Sequence, residues 1–130
     1  MEKFKEYILV WSLGALMYSL VEIMWRGYTH WSMMLTGGVC FLILYKLAPL
    51  KYPLAVRAIL GAVAITAVEF AVGVTVNLIF RLDVWDYSMR PLNILGQICP
   101  LYSIFWFFLC LAAMPLCRYL QKGYKRLIGA

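Results

Sequence analysis

Charge is the scarcest feature of this sequence. Only 14% of its 130 residues are Asp, Glu, Lys or Arg, six of them acidic, against 65% hydrophobic. A water-soluble domain carries about 25% charged and about half apolar residues, so water is not the main solvent of this chain. Histidine occurs once, as His30, and the four cysteines, Cys40, Cys99, Cys110 and Cys117, form no CxxC pair and lie in or beside apolar runs. A disulfide framework or a zinc site is therefore excluded in favour of small packing residues. There is no GxxxxGK, HExxH, GxSxG or GxGxxG run, which excludes the phosphate-loop, zinc-protease, serine-hydrolase and dinucleotide sites built on those motifs. The expectation is a protein that is not an enzyme and holds no cofactor and no metal. At this length it is a single domain, residues 1–130, with no room for an ATP-binding domain.

What the chain has instead is long apolar runs, with a mean hydropathy of +0.82. A spanning helix needs about 20 mainly apolar residues to cross about 30 Å of hydrocarbon. Four stretches qualify: about 7–25, 27–45, 58–80 and a fourth within 91–117. The first is too long for a signal peptide, and no small-residue cleavage site precedes a polar region. The fold class expected is an all-α integral membrane protein of four transmembrane helices. Its net charge of +6 does not indicate a nucleic-acid partner, because the basic residues are scattered between apolar runs. They follow the orientation rule instead. Lys3 and Lys5, then Lys46, Lys51 and Arg57, then Arg118, Lys122, Lys125 and Arg126 share one side, against Arg26, Arg81 and Arg90 on the other. Nine against three places both termini in the cytoplasm. Val21-Glu22 recurs as Val68-Glu69 and Gly37-Gly38-Val39-Cys40 as Gly96-Gln97-Ile98-Cys99, a weak echo that would make a parallel two-helix repeat.

Two carboxylates lie inside the runs. Glu69 has eleven uncharged residues on each side. An unpartnered charge there costs about 3 kcal/mol or more, so membrane ionisable groups point to function by default. Ala62, Thr66, Glu69, Gly73 and Asn77 fall on one helical face, as do Ser12, Ala15, Ser19, Glu22 and Arg26. Glu22 and Arg26 are four apart and can pair along the helix. The alternative is that both stripes are packing seams, where small residues allow close approach. In the fourth run Pro100 is expected to kink the helix near Gln97 and free a carbonyl there, with Asn93 and Ser103 nearby, while Pro115 is expected to terminate it. The outward loops carry Arg26, His30, Arg81, Asp83, Trp85, Asp86, Tyr87 and Arg90, a charge and aromatic set dense enough to fold against the helix ends.

Four runs carry a resemblance: Trp-Arg-Gly-Tyr-Thr-His-Trp-Ser-Met (25–33), Gly-Gly-Val-Cys-Phe (37–41), Val-Trp-Asp-Tyr-Ser (84–88) and Asn-Ile-Leu-Gly-Gln-Ile-Cys (93–99). Over about residues 7–117 the chain resembles the bacterial family labelled putative ABC-transporter type IV. The label implies a permease in a bacterial cytoplasmic membrane, and any ATP coupling then needs a separate ATPase subunit. The function expected is translocation of a small solute, a cation or organic cation, with Glu69 binding substrate or protons and Gln97 and Asn77 assisting. Glu22 and the outer loop residues would form a gate. Alternation of Glu69 between proton and substrate would be antiport, by analogy with the small multidrug transporters. Four short helices scarcely enclose a path, so a homo-oligomer is expected. The rival readings are a non-transporting accessory or scaffold subunit and lipid handling at the outer leaflet.

Overall fold

A computed structural model describes residues 2–127. The chain forms four helices, α1 (Glu2–Arg26), α2 (Trp31–Leu47), α3 (Leu54–Gly73) and α4 (Pro100–Leu127), and α3 continues as a π-helical stretch over Val74–Ile79. No strand occurs among the described residues. Three helical runs are long and apolar enough to cross a membrane, and the shorter apolar α2 makes the fourth helix.

The turns follow from local chemistry. Gly27 takes a positive φ of 82° after α1, a conformation open to glycine at no steric cost. His30 then caps α2, its Nδ1 accepting from the Ser32 amide at 3.2 Å and lying 2.7 Å from the Ser32 hydroxyl. The helix expected from residue 27 therefore starts at Trp31. On the basic side, Arg57 donates to the Ala48 and Tyr52 carbonyls and clips the 48–53 connection onto the start of α3.

α1 and α2 are antiparallel and close. A Cβ added at Gly37 would sit 2.5 Å from the Tyr18 Cβ, so only glycine permits this approach, the device membrane helices use in place of a hydrophobic drive. α2 also packs against α3 and α4. Thr66 and Ser103 hydroxyls lie 3.0 Å apart, and Gly61 faces Cys110, which makes α3 and α4 antiparallel too. The main core, with Val10, Phe41, Leu44, Ala58, Ile65, Cys110, Met114 and Cys117, fills the basic half, and a smaller cluster of Met33, Val76, Val84 and Trp85 fills the opposite end.

The fourth helix differs from expectation at both ends. It spans Pro100–Leu127 and not 91–117, and Pro100 opens it rather than kinking it. A proline lacks the N–H that an interior position needs, restricts the residue before it, and is well tolerated in the first turn. Pro115 lies inside the helix and does not end it. Gln97 accordingly belongs to an irregular segment, 80–99, so that Gly96–Cys99 differs in conformation from its sequence counterpart Gly37–Cys40 inside α2.

Candidate functional site

The candidate site residues meet where α1, α3, α4 and the 80–99 segment converge. Glu69, four residues before the end of α3, is 6% exposed. The Tyr87 hydroxyl donates to its Oε2 at 3.2 Å, and the Trp106 Nε1 lies 3.4 Å from its Oε1. Both carboxylate oxygens thus face a donor, one from the irregular segment and one from α4. Tyr18 of α1 lies at a tilt against Trp106, ring centroids 6.3 Å apart. The acid thus lies between a phenol and an indole, with a second phenol behind the indole.

Irregular backbone at membrane depth is tolerated only where protein or a water-lined cavity covers it, and the 80–99 segment turns part of itself inward. Val84, Trp85, Gln97 and Cys99 are buried, whereas most of the rest, Met89, Leu92 and Leu95 among it, is exposed. The π-helical stretch has a wider turn that aims Asn77 at the segment. Asn77 Nδ2 donates to Gln97 Oε1 at 2.8 Å, while Asn77 Oδ1 accepts from the Val84 amide at 2.6 Å. The Trp85 indole donates to the Gln97 carbonyl at 3.0 Å. Gly73 makes room: a Cβ there would lie 2.6 Å from Gln97 Oε1 and 2.9 Å from Trp85 Cζ2. Asn77 and Gln97 therefore bond each other and the segment, and their polar atoms hold the plug in place above Glu69. Farther out, Asn93 Nδ2 donates to the Ser88 and Arg90 carbonyls and its Oδ1 accepts from the Gly96 amide, which knits the tip. Arg81, Asp83, Leu92 and Leu95 all take positive φ near 55°, a conformation costing about 1–2 kcal/mol for a residue with a Cβ.

Glu22 and Arg26 pair as expected, at 3.5 Å, and both are largely buried. Arg26 also donates to the Val84 carbonyl at 3.0 Å and lies over the Tyr28 ring, so it ties α1 to the plug. Its Nε is buried without a hydrogen-bond partner among the described residues. The other outer residues divide. Tyr87 points in to Glu69 and stacks on Tyr102 with centroids 4.6 Å apart, and Trp85 is buried. His30 is occupied in capping α2. Arg81, Asp83, Asp86 and Arg90 are exposed, and none of them joins an ion pair among the described residues, whose pairs are Lys3–Glu6 and Glu22–Arg26. Asp86 accepts from the Ser88 amide at 2.9 Å, and that bond holds its carboxyl below the usual carboxylate range.

A family model described as putative ABC-transporter type IV matches residues 31–129. The chain belongs to this family. The family match covers α2, α3, the plug and α4, and so contains Glu69, Asn77, Trp85, Tyr87, Gln97 and Trp106. Tyr18, Glu22 and Arg26, on α1, lie before the matched range. Comparison with curated proteins and with solved structures found no match.

Sequence reasoning had singled out Glu69, Glu22, Asn77 and Gln97 but neither Tyr18 nor Trp106. A signal existed for each. Tyr18 stands four residues before Glu22, on the same face. Trp106 belongs to a three- and four-residue spacing, Ser103, Trp106, Cys110, Ala113 and Cys117, that marks the inward face of α4.

Proposed function

We propose that this multi-pass, ABC-transporter-type membrane protein is the solute-conducting part of a bacterial cytoplasmic-membrane permease, and that its solute is a small cation or organic cation. One observation carries the reading: a buried carboxylate held between Tyr87 and Trp106, with Tyr18 against Trp106, and covered on the outer side by a pinned, irregular plug. Aromatic faces around an acid suit an organic cation, through the ring quadrupole and the charge together. Release of the plug would open Glu69 to the outer face, since Tyr87 belongs both to the plug and to the acid's hydrogen bonding. ATP coupling, where it operates, is supplied by a separate subunit. A homo-oligomer widens the path beyond what four helices enclose.

Uptake of ethidium into proteoliposomes tests this, with an outward or inward proton gradient and the ATPase subunit absent or added. Glu69→Gln is nearly isosteric. Its amide oxygen can still accept from Trp106, and its amide nitrogen can donate to the Tyr87 hydroxyl, so folding is retained. The expected result is uptake by the native chain that Glu69→Gln reduces at least ten-fold. Equal uptake by both forms would refute the assignment.

A second reading, an accessory subunit that moves no solute, is supported by a different observation. Both oxygens of Glu69 are bonded within the bundle, and the clefts of about 160 and 510 Å³ open at the basic end instead. On this reading Glu69→Gln would disturb assembly and leave no flux to lose.

A further inference from the structure

The basic end holds two adjoining clefts that the transport reading does not use. The larger, about 510 Å³, lies between the first turns of α1 and the last turns of α2 and α4. Lys3, Lys46, Arg118 and Lys125 line it, and Glu6 is the one acidic residue in its wall. Glu6 is already engaged: the Tyr45 hydroxyl donates to its Oε2, and Lys3 lies 3.7 Å from its Oε1. The chamber is therefore strongly cationic. The smaller cleft, about 160 Å³, shares Glu6, Tyr45 and Tyr124 with the first and is otherwise apolar, lined by Leu9, Val10, Leu13 and Leu120 among others.

Gly61 faces Cys110 across the antiparallel α3–α4 pair, which brings Leu54, the first residue of α3, level with about Cys117, so both clefts reach the basic end of the bundle. Tyr45 and Tyr124 line both of them, and tyrosine is favoured at the membrane boundary. Lys46 sits 4.7 Å over the Tyr7 ring. A cationic chamber that runs on into an apolar groove is complementary to one kind of molecule, an amphiphile with an anionic head.

We propose that these joined clefts bind one anionic phospholipid of the inner leaflet, its phosphate among Lys46, Lys125 and Arg118 and part of an acyl chain along Leu9, Leu13 and Leu120. The cytoplasmic leaflet supplies such lipids, and each lysine or arginine near its surface strengthens the attraction. Gly123 leaves the apolar groove open, since a Cβ added there meets nothing within 4 Å.

Native mass spectrometry of the full chain in mild detergent tests this, with dioleoyl phosphatidylglycerol, dioleoyl phosphatidylcholine and inorganic phosphate as the three probes. The native chain is expected to retain one phosphatidylglycerol at least ten-fold more tightly than phosphatidylcholine. Lys46→Gln and Lys125→Gln, at exposed positions that do not threaten folding, should each weaken phosphatidylglycerol about five-fold. Gly123→Phe fills the groove and should weaken both lipids alike, with the circular dichroism spectrum unchanged. Equal retention of the two lipids by the native chain would overturn the proposal, as would indifference to all three substitutions. Displacement of phosphatidylglycerol by millimolar inorganic phosphate would also overturn it, because the site would then recognise a free anion and not a lipid.

Discussion

Asn77→Ala is the sharpest perturbation of the plug. In the native chain Asn77 satisfies two groups at once, the Val84 amide at 2.6 Å and Gln97 Oε1 at 2.8 Å, and Val84 and Gln97 are both buried. Alanine orphans both. A buried group left without its partner costs about 1–3 kcal/mol, so the docked state should lose about 2–6 kcal/mol against the undocked one. At about 1.4 kcal/mol per factor of ten, opening of the plug should become more frequent by one and a half to four orders of magnitude. Hydrogen exchange of the protein in lipid nanodiscs reads this directly, through peptides covering 81–99 compared with peptides covering 105–117. The substitution should speed exchange in the first region by at least about thirty-fold and leave the second unchanged. Asn77→Asp should loosen the segment less than alanine does: it keeps the acceptor for the Val84 amide, and Gln97 can turn its amide to donate to it at the expense of its bond to the Leu95 carbonyl. Exchange over 81–99 that is unaltered in Asn77→Ala would refute the idea that Asn77 and Gln97 serve to hold the plug.

Three further expectations follow from the same structure. Gly73→Ala places a Cβ 2.6 Å from Gln97 Oε1 and 2.9 Å from Trp85 Cζ2, so it should raise exchange over 81–99; slow exchange in that variant would show that the segment does not rely on the close approach. Asp86 has a carboxyl depressed by the Ser88 amide, so its contribution to loop order is present above the ordinary value of 3.8 and is lost as pH falls through the lower folded value. Its ¹³C carboxyl titration should have a midpoint below 3.8, and a midpoint at or above it would contradict the bond. Pro115 sits in the interior of α4 on an exposed face, so Pro115→Ala should be tolerated and should stabilise the helix against heat, since it restores one backbone donor and removes a clash worth about 3 kcal/mol; a lowered melting temperature would count against that.

Much of the architecture could be read in advance because hydrocarbon is a severe solvent. It demands runs of about 20 apolar residues and leaves positive charge on one side, which is why the four helices and the distribution of lysine and arginine were visible in composition alone. Glu69 was visible for the same reason, as an acid where none is cheap. The last helix was misplaced because apolar composition does not reveal conformation. Residues 91–99 are as apolar as a helix, yet Pro100 denies helical geometry to what precedes it, and the side chains of Asn77, Trp85 and Gln97 satisfy the irregular backbone from across the bundle. Those bonds join residues up to 20 apart in sequence, beyond any periodic signal. The partners of Glu69 were hidden likewise, since Tyr87 reaches it only because the segment folds inward. His30 was read as a gate residue; in the structure its ring caps α2 through the Ser32 amide, which its residue type did not announce, because histidine is not among the side chains that favour the cap position.

The direct test of the central claim is equilibrium binding of a hydrophobic cation to the purified chain. Radiolabelled tetraphenylphosphonium should bind the native protein, and Glu69→Gln, which keeps the shape and the hydrogen bonding while removing the charge, should weaken it at least about ten-fold, as loss of a charge–charge attraction of about 1.4 kcal/mol or more requires. Undiminished binding by Glu69→Gln, in a protein whose helicity and size are native, would contradict the account.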